Sequence, residues 1–395
     1  MRIFLAVILG CYITVNAYLS ARLSRMLSGT GGLRLLAVAS LLSLALAFPA
    51  GQILSRRMPG HLSGALLVVG SLYLAVMIHA FMLALAADIL RAVNLSVKLT
   101  PQPPPYPRAG RVAITAVIAF LSVALSLAGA LNAAIPTVKR VSLDLPPHAA
   151  GAGDLRIAVI SDIHFGRLVT GRHLTRLAKL VDAEKPDIIL LAGDMVDDLS
   201  WTRSPTARAD AVGRFRAFKA DLGVWAIPGN HDHHSGIEKT ADMLSEAGIT
   251  LLRDEWAAPG ERVLLIGRED RTVERTEARS RAALTSIRDE ARRALRERFD
   301  VLPLIVLDHQ PFNLSEADGA DAFLQISGHT HRGQIFPFNF IVARLYENSY
   351  GVCQKGGAHY VVSSGAGSSR RPLIIWEAVL SHHRTYGPVY GGSIG

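Results

Sequence analysis

Two cysteines are all that the 395 residues contain, Cys11 in an apolar run and Cys353 far away in a loop-like stretch. That scarcity excludes a disulfide framework and leaves the redox compartment unread. Acidic residues are as scarce in one region. Residues 1–140 hold 12 Lys and Arg but one acid, Asp88, whereas residues 141–395 hold the remaining 30 basic and 32 acidic side chains. The net charge of +9 therefore belongs to the first third. Its basic residues punctuate apolar runs and form no stripe, so nucleic-acid binding is not expected.

What the first third has in quantity is apolar length. Residues 3–21, 33–54, 62–90 and 112–135 are each long enough to cross a hydrocarbon core, which takes about 20 apolar residues as a helix. The expected fold there is an all-α transmembrane region of four helices. The first run resembles a signal peptide, but three further runs follow at once, which favours retention as an anchor. Arg22, Arg25, Arg34, Arg91, Lys98, Arg108 and Arg111 fall in loops on one side, and Arg2, Arg56, Arg57, Lys139 and Arg140 on the other. Seven against five assigns the first and third loops to the cytoplasm and the C-terminal domain to the outside of the cell membrane. Asn16, His79 and Asp88 are the polar groups within the runs, too few for a transport path. A proline run at residues 101–107 reads as the loop before the fourth span. Residues 1–140 are thus the membrane region, 141–154 a linker, 155–380 a second domain and 381–395 a tail.

The second domain repeats one pattern: apolar strand, polar turn, helix. Strands are expected at residues 155–161, 187–192, 223–227, 263–266, 302–307, 323–327, 360–363 and 373–376, with short continuous apolar runs of the kind buried on both faces. After the first, Thr170 is placed to cap a helix whose Leu174, Leu177, Ala178 and Val181 recur at helical spacing. Polar groups follow the strands: Asp162 and His164, Asp194, Asn230 and His231, His309, then His329 and His331. Open α/β sheets gather such strand-end residues on one rim. Singly, each has a plainer explanation, Asp162 and Asp194 as turn or cap residues, Asn230 in a tight turn, His309 hydrogen-bonded in the core. Together they offer carboxylates, an amide oxygen and imidazoles, a mixture that suits two divalent transition ions better than calcium or magnesium.

Asp162-Ile163-His164, Gly193-Asp194, Gly229-Asn230-His231-Asp232, His309 in Leu-Asp-His-Gln-Pro and Gly328-His329-Thr330-His331 together resemble, in order and spacing, the motifs of the calcineurin-like metallophosphoesterases. The resemblance implies an α/β domain built as a four-layer αββα sandwich. It also implies a dinuclear site holding two divalent metal ions, Mn, Fe or Zn. By motif, Asp162, His164 and His331 would bind one ion, Asn230, His309 and His329 the other, and Asp194 would bridge them. His231 resembles the family's non-ligand histidine, which stabilises the transition state or protonates the departing alkoxide, with Asp232 either orienting it or serving only as a cap. The implied reaction is hydrolysis of a phosphoester or pyrophosphate bond in a phosphorylated small molecule or lipid. A catalytically silent metal-binding sensor or regulatory membrane protein is the alternative.

Other features fall outside these motifs. His233 and His234 are expected in a solvated loop, and His359, His382 and His383 in structural or solvent roles. Asp197, Asp198 and Asp308 flank ligands and are candidates to support them. Residues 268–299 are charge-dense, yet Leu284, Ile287, Ala291 and Leu295 recur at helical spacing. They read as an amphipathic helix, packed on the sheet or presenting its arginines to lipid headgroups beside the anchor. Gly365 to Arg371 is a small-residue loop where relatives carry a substrate-side loop, and Arg370 and Arg371 depart from that pattern.

Overall fold

The computed structural model describes residues 2–58, 60–97, 106–133, 136–166, 169, 171–197, 205–277, 279–334, 336–366 and 372–379. Outside them lie most of the proline run, the cap expected at Thr170, Asp198, residues 367–371, and the tail with His382 and His383. The chain divides into two compact units, Met1–Asn132 and Ala133–Gly395.

The first unit is four helices, α1 (Arg2–Met26), α2 (Gly32–Arg57), α3 (His61–Val97) and α4 (Arg108–Ala133). Ala6–Met26, Gly32–Ser55, His61–Val97 and Arg108–Leu131 are long and apolar enough to cross a membrane. The three polar groups noted within the runs all have partners. Asp88 forms an ion pair with Arg22 at 3.1 Å and accepts from the Tyr18 hydroxyl at 2.7 Å. His79 Nδ1 lies 3.0 Å from Ser126 Oγ, and Asn16 donates to the Tyr12 carbonyl and accepts from Tyr73. Such contacts hold helices together, because an unpartnered polar group in hydrocarbon would be costly.

The second unit runs β1 (Thr137–Asp144), β2 (Leu155–Ile160), α5 (Gly171–Glu184), β3 (Ile188–Ala192), α6 (Pro205–Phe215), β4 (Val224–Ile227), α7 (Asn230–Ser235), α8 (Ile237–Glu246), β5 (Thr250–Leu251), β6 (Glu255–Ala257) and β7 (Leu264–Gly267). It continues through α9 (Thr272–Thr276), α10 (Leu284–Leu295), β8 (Leu304–Leu307), α11 (Ser315–Gly319), β9 (Leu324–Ser327), α12 (Phe338–Leu345), β10 (Gly351–Lys355), β11 (Ala358–Val362) and β12 (Pro372–Val379). The strands form two six-stranded sheets, ordered β1-β12-β2-β3-β4-β5 and β10-β11-β9-β8-β7-β6.

Alternation along the strands makes four layers. Ile157 and Val159 of β2 face inward and meet Leu265, Ile305 and Ile326 of the other sheet. Ala158 and Ile160 face outward under Leu174, Leu177 and Val181 of α5 and Phe215 of α6. On the far side Leu264, Ile266 and Val306 carry Leu284, Ile287 and Ala291 of α10. Each fully buried Leu or Ile contributes about 1.5–3 kcal/mol, so these interleaved layers hold the frame that positions the loops. Strands β2, β3 and β4 are parallel, as are β7, β8 and β9, so their C-terminal ends share a direction within each sheet.

Two expectations change. Residues 141–154 are only partly linker: β1 pairs in parallel with all eight residues of β12, and a short 3-10 turn, Pro147–Ala152, follows. The β1 sequence, Thr-Val-Lys-Arg-Val-Ser-Leu-Asp, mixes charge into an edge strand whose partner lies more than 200 residues on, and no local signal announces that pairing. The charged segment at 268–299 is two helices, α9 and α10, with the apolar face of α10 buried in the outer layer. Packing on the sheet is thus its role.

Candidate metal centre

The loop after β2 is joined to that after β3, and the loop after β8 to that after β9, through their own backbones. Asp162 N–H donates to the Gly193 carbonyl at 2.9 Å, His164 N–H to that of Asp194 at 3.0 Å, and Gly328 N–H to that of His309 at 2.9 Å. Five of the seven proposed ligands, Asp162, His164, Asp194, His329 and His331, have φ between 48° and 70°. Non-glycine residues hold that left-handed conformation at a cost of roughly 1–3 kcal/mol each where the surroundings enforce it, and such residues cluster at functional sites. Two glycines permit the close approach of the loops. A Cβ on Gly193, at φ +87°, would run into the His309 ring, and one on Gly328 would meet Ser161 and the Asp162 carboxylate.

The side chains converge in groups, linked by a set of His164, Asp194 and His231 whose donor atoms also lie within 4.8 Å of one another. Asp162, His164 and His331 bring donor atoms within 4.8 Å of one another, and so do Asp194, His309 and His329. His164 Nε2 and His331 Nε2 are 3.1 Å apart, and His331 Nε2 is 3.5 Å from Asp162 Oδ1. Two ligands each about 2.0–2.1 Å from a common ion are separated by roughly 3.0–3.4 Å, so this spacing fits a shared cation. Asp194 Oδ2 lies between the groups, 3.8 Å from His164 Nε2 and 3.2 Å from His309 Nε2. Asp194 Oδ1 accepts from the His231 N–H at 2.8 Å, which fixes the carboxylate plane.

The donor set also fits a metal electronically. His309 Nδ1 lies 2.8 Å from the Ala192 carbonyl, an acceptor, so Nδ1 carries the proton and Nε2 is left with its lone pair. That Nε2 is buried without a hydrogen-bond partner, as are Asp162 Oδ2 and Asn230 Oδ1. The 3.2 Å approach of His309 Nε2 to Asp194 Oδ2 does not meet hydrogen-bond geometry. All three orphaned atoms are lone-pair acceptors, and leaving each unsatisfied costs about 1–3 kcal/mol. Divalent cations would supply partners for such atoms, and the mixture of oxygen and imidazole nitrogen is that of transition-metal sites.

Electrostatics point the same way. Burial lowers the His164 pKa, but the Asp197 hydrogen bond and the Asp197, Asp194 and Asp162 charges outweigh it and push it up to about 9. Burial likewise lowers the His309 pKa, and the facing Asp194 carries it well above the usual imidazole value. Burial raises the Asp194 pKa, and His309, His164 and His231 pull it far below the ordinary carboxylate range. The carboxylates thus draw positive charge into the site. His329 differs: burial and the neighbouring His309 hold it down to about 4, so it stays neutral and available as a ligand.

Asp232 caps the start of α7 and does not meet the His231 ring. Its oxygens accept from the backbone N–H groups of Gly229 at 2.9 Å, Val196 at 2.9 Å and Met195 at 3.2 Å, which ties the β3 and β4 loops together. Burial and the Asp194 charge raise its pKa to about 6 against those bonds. The carboxylate at His231 is that of Asp197, whose Oδ1 lies 2.8 Å from His231 Nδ1 and 2.6 Å from His164 Nδ1. The sequence signal for it was proximity alone, three residues after Asp194. His233 is not solvated; its side chain is buried against Glu269 at 2.9 Å. Asp308 pairs with Arg281 at 2.6 Å. Two aromatic residues went unnoticed: the Tyr346 ring is 6.2 Å from that of His329 and 4.7 Å from that of Phe312.

Residues 155–333 match the family model described as calcineurin-like phosphoesterase. An uncharacterized metallophosphoesterase of Helicobacter pylori is 31% identical over 228 residues, 56% of each chain. A transmembrane protein with metallophosphoesterase domain from Danio rerio is 30% identical over 246 residues, 58% of this chain and 52% of the relative. The chain therefore spans little more than half the length of these relatives. Among solved structures, a dimetal phosphatase from Danio rerio aligns over 54% of this chain and 88% of its own at 13% identity and a TM-score of 0.34. Following four apolar helices, this chain carries a calcineurin-like metallophosphoesterase domain.

Proposed function

We propose that the protein is a membrane-bound, dinuclear-metal phosphoesterase that hydrolyses a phosphoester or pyrophosphate bond of a lipid-linked substrate. The observation that carries this reading is the position of Asp194 Oδ2 between His164 Nε2 and His309 Nε2, and so between two groups of ligand-type atoms. Asp162, His164 and His331 would hold one ion and Asn230, His309 and His329 the other, with Asp194 contributing to both. Two divalent ions, Mn, Fe or Zn, supply Lewis-acid polarisation of the phosphoryl group and lower the pKa of water.

The chain's own residues do the rest. His309 is fixed as an Nε2 ligand by the Ala192 carbonyl, and His164 by Asp197. His231, with a side chain 46% exposed and its ring 4.6 Å from that of His164, stands at the open side of the site. Held by Asp197 at Nδ1, its ring donates a hydrogen bond to the developing charge or a proton to the departing alkoxide. Asp197 positions both imidazoles, and Asp232 maintains the loop that carries Asn230 and His231.

The excess of seven basic residues over five in the loops supports an orientation with the catalytic unit outside the cytoplasm, where a cytosolic nucleotide-sugar would not reach it. A reporter fused after Gly395 that is active only in the cytoplasm contradicts that orientation. For the activity, the purified full chain with Mn or Zn is expected to cleave an aryl phosphodiester, and Asp194→Asn to abolish cleavage. Hydrolysis that survives both the substitution and a chelator refutes the mechanism. Metal binding without hydrolysis of any phosphorylated substrate supports the silent sensor.

A further inference from the structure

Of the two readings of α10, packing on the sheet or contact with lipid, its buried apolar side bears out the first, and among the described residues of the second unit α12 is an apolar helix left open to solvent. Its sequence, Phe-Asn-Phe-Ile-Val-Ala-Arg-Leu, has no buried residue. Phe336, Phe340, Ile341 and Leu345 are 67, 56, 53 and 67% exposed. With Phe338, also exposed, these make five large apolar side chains within ten residues, a patch and not scattered surface.

The patch lies on the rim of the metal centre. The turn His331–Gly333, which contains a proposed ligand, leads into α12, and Tyr346 at its end lies against His329 and Phe312. From Thr330 to Tyr346 there is no acidic residue, while Arg332 and Arg344 are basic. Lys139 and Arg332 both lie over the Tyr350 ring, 5.1 and 4.7 Å from its centroid, so positive charge borders the patch. Exposed aromatic and aliphatic side chains beside lysine and arginine are the chemistry that binds an anionic bilayer surface. The same chain carries α4, long and apolar enough to cross a membrane, a few residues before β1 in the sequence.

We infer that Phe336 and α12 dock into the boundary between headgroups and acyl chains of an anionic bilayer, so that the metal centre takes its phosphate from a lipid headgroup. The substrate part of this inference rests on the proposed phosphoesterase reading; the docking part does not. The test uses the full chain in vesicles of phosphatidylethanolamine and phosphatidylglycerol carrying a lipid spin-labelled on its acyl chain. Cys11 and Cys353 are replaced by Ser, and a polarity-sensitive fluorophore is attached at Phe340→Cys or, as the control, at the exposed Glu297→Cys. Acyl-chain quenching at position 340 is expected to exceed that at 297 by at least about two-fold, as for a side chain at the acyl boundary. Equal quenching at the two positions overturns the docking, and so does cross-linking of Phe340→Cys between copies without lipid quenching, which assigns the patch to a second copy.

This readout needs no turnover, so an inactive protein leaves it interpretable. In the second measurement, Phe340→Glu with Ile341→Glu is expected to slow hydrolysis of vesicle-borne phosphatidic acid by about ten-fold, with cleavage of a soluble aryl phosphodiester unchanged. Equal loss on both substrates, or loss on neither, overturns the lipid-headgroup assignment.

Discussion

Asp197→Asn separates the orienting carboxylate from the neighbouring Asp232. One oxygen, Asp197 Oδ1, holds His164 Nδ1 at 2.6 Å and His231 Nδ1 at 2.8 Å. Opposing influences act on Asp197: burial raises its pKa, and the two histidines lower it below the ordinary carboxylate range, so it is ionised at neutral pH. Replacing a charged acceptor by a neutral one takes each bond from about 1.5–3 to about 0.5–1.5 kcal/mol, a loss near 1–1.5 kcal/mol apiece. The Asp197 side chain is 39% exposed, and solvent screening reduces the pair's total to roughly 1.4–2.7 kcal/mol. That corresponds to about a 10–100-fold loss of metal affinity or activity, the range found when supports of metal-bound histidines are removed. The assay is kcat and KM on an aryl phosphodiester, with metal content measured on the same samples. Asp232→Asn, by contrast, is expected to lower Tm by weakening three backbone contacts while His231 stays held by Asp197. If Asp197→Asn keeps full activity and metal content, or if Asp232→Asn reproduces its kinetic defect at unchanged Tm, the reassignment is wrong.

Two further substitutions probe the frame. Burial raises the Glu269 pKa, but bonds from His233 and Arg253 hold it down to about 2. A carboxylate with a lowered folded-state pKa adds stability above its unfolded value of 4.5 and loses it as pH falls towards 2. Glu269→Gln is therefore expected to cost about 2 kcal/mol at neutral pH, with the gap from wild type in thermal melts closing over that acid range; a gap that persists contradicts the assignment. Gly193→Ala places a methyl group into the His309 ring at φ +87° and is expected to cost about 1–3 kcal/mol and to displace that ligand. Melting and metal content at wild-type values would show that the loop has room that the geometry denies.

Much of this arrangement was readable in the sequence because parallel strands buried on both faces leave short apolar runs, and the chemistry follows them directly. The runs ending at Ser161, Ala192, Ile227, Leu307 and Ser327 each precede proposed ligands, and the helix expected around Leu174 and Leu177 is α5. Helical periodicity also located α10, though periodicity alone could not say whether sheet or lipid covered its apolar face. What was not readable depends on distant partners. The β1–β12 pairing joins two ends of the domain, His233 is buried only because Glu269 is brought to it, and Asp197 rather than Asp232 meets His231 because the β3 and β4 loops interlock. The exposure of α12 was hidden for the same reason, since its apolar sequence resembles that of any packed helix.

The paired histidines after β9 offer the most direct test of a dinuclear centre. Metal equivalents per chain, measured by elemental analysis of the purified full chain and of His329→Ala and His331→Ala, are expected to be two for the wild type and one for each variant. His331→Ala should keep the ion held by Asn230, His309 and His329, and His329→Ala the ion held by Asp162, His164 and His331. A wild-type value of one or fewer after metal loading, or two equivalents retained in both variants, contradicts the assignment of these residues to two ions.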